Sequence, residues 1–79
     1  MEIGMLWYDP DAKRELADKV VRAVEFYRAK YGVRPTECFV NPTMLPANAP
    51  EITGGVRLRP ANAILKNHFW IGIEDGASR

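Results

Sequence analysis

Few side chains in this sequence have the types and spacing that chemistry requires, and the densest group runs from Tyr8 to Arg14. Asp9 follows an apolar run, Asp11 stands two residues on, and Lys13 with Arg14 adds two cations. If the apolar run is a strand and the next segment a helix, Tyr8 and Asp9 stand at the strand's carboxyl end beside the helix N-terminus. Asn41 and Thr43 follow a second apolar run and reach the same edge, which is where ligands collect in sheets with parallel strands. Free N–H groups flanked by two cations suit a phosphate or another oxyanion. The competing reading is capping, since Asp9 and Asp11 already bring negative charge to the positive helix end and repel an anion. Asp9 is also a candidate magnesium ligand for phosphodiester cleavage, which needs a second acid. Glu74 and Asp75 qualify if the last strand runs parallel to the first. If it runs antiparallel, they finish at the opposite edge.

Arg57 and Arg59 point to one side of a short run, and with Arg34, Lys66, Phe69 and Trp70 they define a candidate basic, stacking surface for single-stranded nucleic acid. Alternating arginines are more commonly edge protection and solvation, and a formal net charge of +1 supplies no field for polyanions. Cys38 sits between apolar neighbours with no histidine nearby in sequence, so it reads as a packing thiol rather than a nucleophile. His68 leads a strand and is expected to bond to backbone or water. With one cysteine and one histidine, the chain forms no internal disulfide and no Cys/His zinc site. No Ser-His-Asp set, phosphate loop or pair of catalytic carboxylates can be assembled. Gly54-Gly55 reads as a turn, and no cofactor or metal is implied.

The elements that position these residues follow from periodicity. Ile3 to Tyr8 is apolar on both alternating faces and reads as an interior strand. Asp9-Pro10 then gives an N-cap carboxylate and a proline at the first helical position, with Asp11 a rival cap. Leu16, Val20, Ala23, Val24, Tyr27 and Tyr31 form one stripe of a helix that runs to Tyr31, with Gly32 and Pro35 as stop signals. Glu15 with Lys19 and Asp18 with Arg22 are spaced as i,i+4 pairs. Glu37 to Asn41 reads as a second strand, parallel to the first across a right-handed crossover. Pro42, Pro46, Pro50, Gly54 and Gly55 exclude a long helix from residues 42 to 55, leaving one short turn around Thr43 to Leu45. Val56 to Arg59 and Phe69 to Ile73 are the last two strands, expected to be antiparallel and joined as a loose hairpin. The fold class is α/β bordering on α+β: a small mixed sheet, order β-α-β-β-β, with one long helix on one face.

The segment Trp7-Tyr8-Asp9-Pro10-Asp11-Ala12-Lys13-Arg14 resembles the start of the small ferredoxin-like CRISPR-associated proteins of spacer acquisition, whose first strand ends in an aspartate before a basic helix. The resemblance covers the first third of the chain. It implies a dimeric use of the strand-helix-strand unit and a second long helix, which the prolines at 42, 46 and 50 forbid, so no family is assigned on it.

A chain of 79 residues hides only about 60% of its unfolded surface, and here no disulfide or metal assists it. Residues 1–75 are expected to form one domain and 76–79 a flexible tail. The first and last strands present large apolar side chains on both faces, while one helix covers one face. Met44, Leu45, Ile52, Ile64 and Leu65 can close the second face, or a partner must. The second alternative predicts a homodimer, or contact with another protein, through Leu6, Tyr8, Trp70, Met44 and Leu45. Glu2 stands where a signal peptide carries positive charge, and the apolar run is too short to span a membrane, so a cytoplasmic protein is expected. The functional expectation is a noncatalytic binding or assembly module acting through an open sheet face or edge. The alternative is a nucleic-acid or phosphate-ester binding protein with magnesium-dependent cleavage centred on Asp9.

Overall fold

In the computed structural model, which describes residues 4–73, the helix α1 spans Leu16–Tyr31. Its stripe is the expected one: Val20, Ala23, Val24 and Tyr27 are buried, with Leu16 and Tyr31 packed beside them. Gly32 ends it in the left-handed region at φ 75°, donating its N–H to the Arg28 carbonyl, a conformation glycine adopts without steric cost. The start differs from the Asp9-Pro10 signal, because the Asp9 carboxylate turns back on Asp11 and Arg14 and holds residues 9–14 in a turn. Glu15 takes the N-cap position without a side-chain bond. Neither expected i,i+4 ion pair forms among the described residues, and Lys19 is buried instead.

The strands are β1 (Gly4–Tyr8), β2 (Glu37–Val40), β3 (Ile52–Thr53), β4 (Val56–Pro60) and β5 (His68–Gly72), with a 3₁₀ turn at Pro42–Met44 between β2 and β3. They form one mixed sheet in the order β1-β5-β2-β4-β3. β1 and β2 run parallel to each other as expected, yet β5 lies between them, antiparallel to both. This corrects three expectations. β1 is an edge strand and not an interior one; the last two strands are antiparallel but separated by β2, to which β4 pairs in parallel; and the sheet has a fifth strand. That strand, β3, owes its existence to Gly54 and Gly55, both at positive φ (62° and 83°). Two such residues make the tight turn whose twist matches a hairpin.

The registers sort the side chains. Met5, Trp7, Cys38, Val40, Val56, Leu58, Phe69 and Ile71 face α1 and form one core with its stripe. Leu45 joins that same core, and the proline-rich segment lies along the start of α1, where Pro46, Ala49 and Pro50 line a hollow with Leu16 and Ala17. Residues 45–50 therefore thicken the helix side and do not close the second face. Leu65 is 69% exposed and Ile52 54%, so neither closes that face. The described residues contain no helix long and apolar enough to cross a membrane.

Cys38 is fully buried in the core, and burial pushes its thiol up to about 12. Only the thiolate reacts, so a disulfide reagent at neutral pH is expected to leave Cys38 untouched until urea unfolds the chain. Labelling of the folded protein as fast as a free cysteine peptide would show that the thiol is not where the core places it.

Candidate functional site

Because β1 and β2 are parallel, their carboxyl ends meet at one end of the sheet, and Tyr8, Asp9, Asn41 and Thr43 gather there with Lys13 and Arg14. Most of these polar groups are engaged within the chain. Asp9 is 5% exposed; one Nη1 of Arg14 reaches both of its oxygens, at 3.0 and 3.2 Å, and the Asp11 amide donates to Oδ1 at 3.1 Å. Burial pushes the Asp9 carboxyl up. The Asp11 amide, the bond and charge of Arg14, and the charge of Lys19 more than offset it and hold the carboxyl below its ordinary value. Asp9 also donates its own N–H to the Asn67 carbonyl at 2.9 Å. Asn41 ties down the segment between β4 and β5 by donating from Nδ2 to the Ile64 carbonyl at 2.8 Å, while its Oδ1 accepts from the amide and hydroxyl of Thr43.

This corner is a structural knot. An oxyanion finds no helix N-terminus beside Asp9, since α1 begins at Leu16, and a cation would have to displace Arg14. Among the described residues no three His, Cys, Asp or Glu side chains converge as metal ligands would. β5 leaves the sheet at Gly72, opposite Gly4 and at the far end from Asp9; Glu74, Asp75 and the expected tail at 76–79 lie outside the described residues.

The second sheet face has a different character. Leu6, Trp70, Phe39 and Arg59 stand in one row across four strands, with Tyr8 and His68 paired at one end and Glu37, Arg57 and Ile52 toward the other. Leu6 and Tyr8 are 57% and 58% exposed. The Tyr8 and His68 rings are 4.6 Å apart, and His68 Nδ1 lies 2.9 Å from the Lys66 carbonyl, the backbone bond expected of it. The Trp70 ring lies over Gly4, where a Cβ would come within 2.3 Å of it. Of the interface candidates, Leu6, Tyr8 and Trp70 share this face, whereas Leu45 belongs to the helix-side core and Met44 to the 3₁₀ turn. Phe39 and His68 were not singled out for this face, although alternation along Glu37-Cys38-Phe39-Val40 is the signal that places Phe39 opposite the buried Cys38 and Val40.

The basic candidates are dispersed. Arg57 pairs with Glu51 and Arg59 with Glu37, each at 3.6 Å. Arg34 lies beside Gly55 at the β3–β4 turn, and Lys66 sits at the opposite end of the sheet, before β5. Phe69 is fully buried beneath the helix and cannot stack on a base, which removes it from the proposed nucleic-acid surface.

Fold and face define a class: an α/β sandwich of two layers, one helix over a five-stranded mixed sheet, with apolar side chains on the sheet's outer surface. No family model matches the chain, and no curated protein or solved structure is significantly similar to it.

Proposed function

We propose that the chain is a small noncatalytic binding or assembly module that works through the sheet face opposite α1 and the adjoining β1 edge. The observation that carries this reading is the row Leu6-Trp70-Phe39 with the exposed Tyr8 beside it, combined with the fate of Leu45, which packs on the helix side, and of Ile52 and Leu65, which stay exposed. Exposed apolar groups collected in one patch mark interaction sites, whereas scattered ones do not. The partner is another protein or a second copy of the chain, and the buried free thiol suits a reducing cytoplasm.

A single-stranded oligonucleotide is the second reading, favoured by four aromatic rings (Tyr8, His68, Trp70, Phe39) on the face that carries Arg57 and Arg59. The ion pairs of both arginines weigh against it, since their positive charge is already partnered.

Backbone amide NMR separates the readings. In a concentration series the amides of Leu6, Tyr8, Phe39 and Trp70 are expected to shift while those of Arg28 and Lys30, on the outer surface of α1, stay fixed. A low-salt oligonucleotide titration moving the same set would favour nucleic acid, for which phosphate contacts are strongest at low salt. Resonances of this face that respond to neither would overturn self-association and nucleic-acid binding alike.

A further inference from the structure

We infer that the partner is a second copy of this chain, added edge to edge along β1 so that two sheets become one; the inference rests on the reading of the open face and edge given above. Among the described residues β1 has a strand neighbour on one side only. The direction of its free backbone groups follows from one bond: Asp9 N–H donates inward to Asn67 of the segment preceding β5. Peptide groups alternate along a strand, so Gly4, Leu6 and Tyr8 direct N–H and C=O outward. One further bond agrees: the Gly72 carbonyl, opposite Gly4, is given to Thr36 on the β2 side. Of the outward groups the Gly4 carbonyl already accepts the Tyr31 hydroxyl at 3.4 Å, and its second lone pair is the one left for a new partner.

The edge lacks the devices that keep exposed strands apart. It reads Gly-Met-Leu-Trp-Tyr, with no charge, proline or bulge. The far edge, β3, is two residues long and follows Pro50-Glu51.

A two-fold axis through Leu6 is the register that pairs all five residues. Leu6 then meets Leu6 of the second copy, Gly4 meets its Tyr8, and Met5 meets its Trp7, and the residues with outward peptide groups fall opposite one another as hydrogen-bonded pairs. Shape agrees with the register. Gly4 has no side chain on the open face, and the Trp70 ring fills that space, so Tyr8 of the second copy lands against Trp70. On the helix side, Trp7, Phe26 and Ala29 floor a groove of about 310 Å³ flanked by Arg22 and Glu25, with the Trp7 and Phe26 rings 4.8 Å apart. The same axis turns the two grooves toward each other, where Arg22 of one copy pairs with Glu25 of the other. An isologous contact requires this self-complementarity.

The test uses the whole chain, with sedimentation velocity and amide hydrogen exchange. A dimer is expected in which the Leu6 and Tyr8 amides, exposed in the monomer, are protected. Leu6→Lys places two ammonium groups on the axis and is expected to raise the dissociation constant by about a hundredfold. Because Leu6 is 57% exposed, the circular dichroism of the variant should match the wild type, and its thermal midpoint should match that of the wild type diluted to a monomer. A dimer whose Leu6 and Tyr8 amides exchange freely, and which Trp70→Glu dissolves while Leu6→Lys does not, would overturn edge pairing and leave the face as the binding surface. A monomer at hundreds of micromolar overturns the inference outright, and the concentration and oligonucleotide series then decides the fate of the face itself.

Discussion

Phe69→Ala is expected to lower the urea midpoint by roughly 3–5 M, at a slope of about 1 kcal/mol per M for so small a protein. Phe69 is fully buried and lies on the interior strand β5, opposite Trp7 on one side and Val40 on the other. Truncating a buried phenylalanine costs about 3–5 kcal/mol in lost transfer energy and residual cavity, and at roughly 0.05–0.15 kcal/mol per residue the whole domain holds about 4–12 kcal/mol. At the low end of that range the variant is partly unfolded at ambient temperature, which far-UV circular dichroism reads directly. Trp70→Ala, on the same strand but half-buried on the outer face, should cost markedly less. Equal losses for the two would mean that the layers are not divided as the registers require.

Arg14→Ala is the second large effect, and its size should depend on pH. In the wild type the Asp9 carboxyl titrates below its ordinary value. The stabilisation is therefore present above that ordinary value and is lost as the pH falls through the native one. Removing Arg14 takes away a hydrogen bond and a charge that oppose burial, so the carboxyl of Asp9 moves upward from its native position. At neutral pH the variant holds a poorly compensated carboxylate that is 5% exposed. Breaking a fully buried pair costs about 3–5 kcal/mol. Arg14 is 28% exposed, so the expected loss is nearer 2–3 kcal/mol, within the range of charged hydrogen bonds. In acid, toward the ordinary carboxylate range near pH 4 and below it, Asp9 takes up its proton more readily in the variant than in the wild type, and the gap should narrow. Urea titrations of both proteins at the two pH values check it, and a difference that does not change with pH would show that Arg14 acts by packing alone.

What could be read from the sequence was local. The α1 stripe, the Gly32 stop and the runs around Cys38, Leu58 and Phe69 each announce themselves through neighbours a few residues away. The position of β5 does not, since it depends on Gly72 sitting opposite both Gly4 and Glu37, residues from the two other ends of the fold. β1 misled for a related reason. Apolar side chains on both faces suggest cover on both, whereas Leu6 and Tyr8 remain exposed. Asp9-Pro10 misled because a capping carboxylate and an Arg14 partner are indistinguishable by type. The end of the sheet where Tyr8, Asp9 and Asn41 meet was legible from two parallel strands. Its engagement with Asn67 and Ile64 was not, because nothing local fixes the path of residues 61–67.

The placement of β5 also bears on how the molecule is made. The strand that joins β1 to the rest of the array is the last of the described strands to leave the ribosome. Until residue 72 emerges, β1 and β2 have no template between them, and a nascent chain halted before His68 holds two greasy ribbons with no shared hydrogen-bond ladder. Folding is thereby deferred to a late moment of translation, and that interval is when the polypeptide is most exposed to aggregation and most in need of a chaperone.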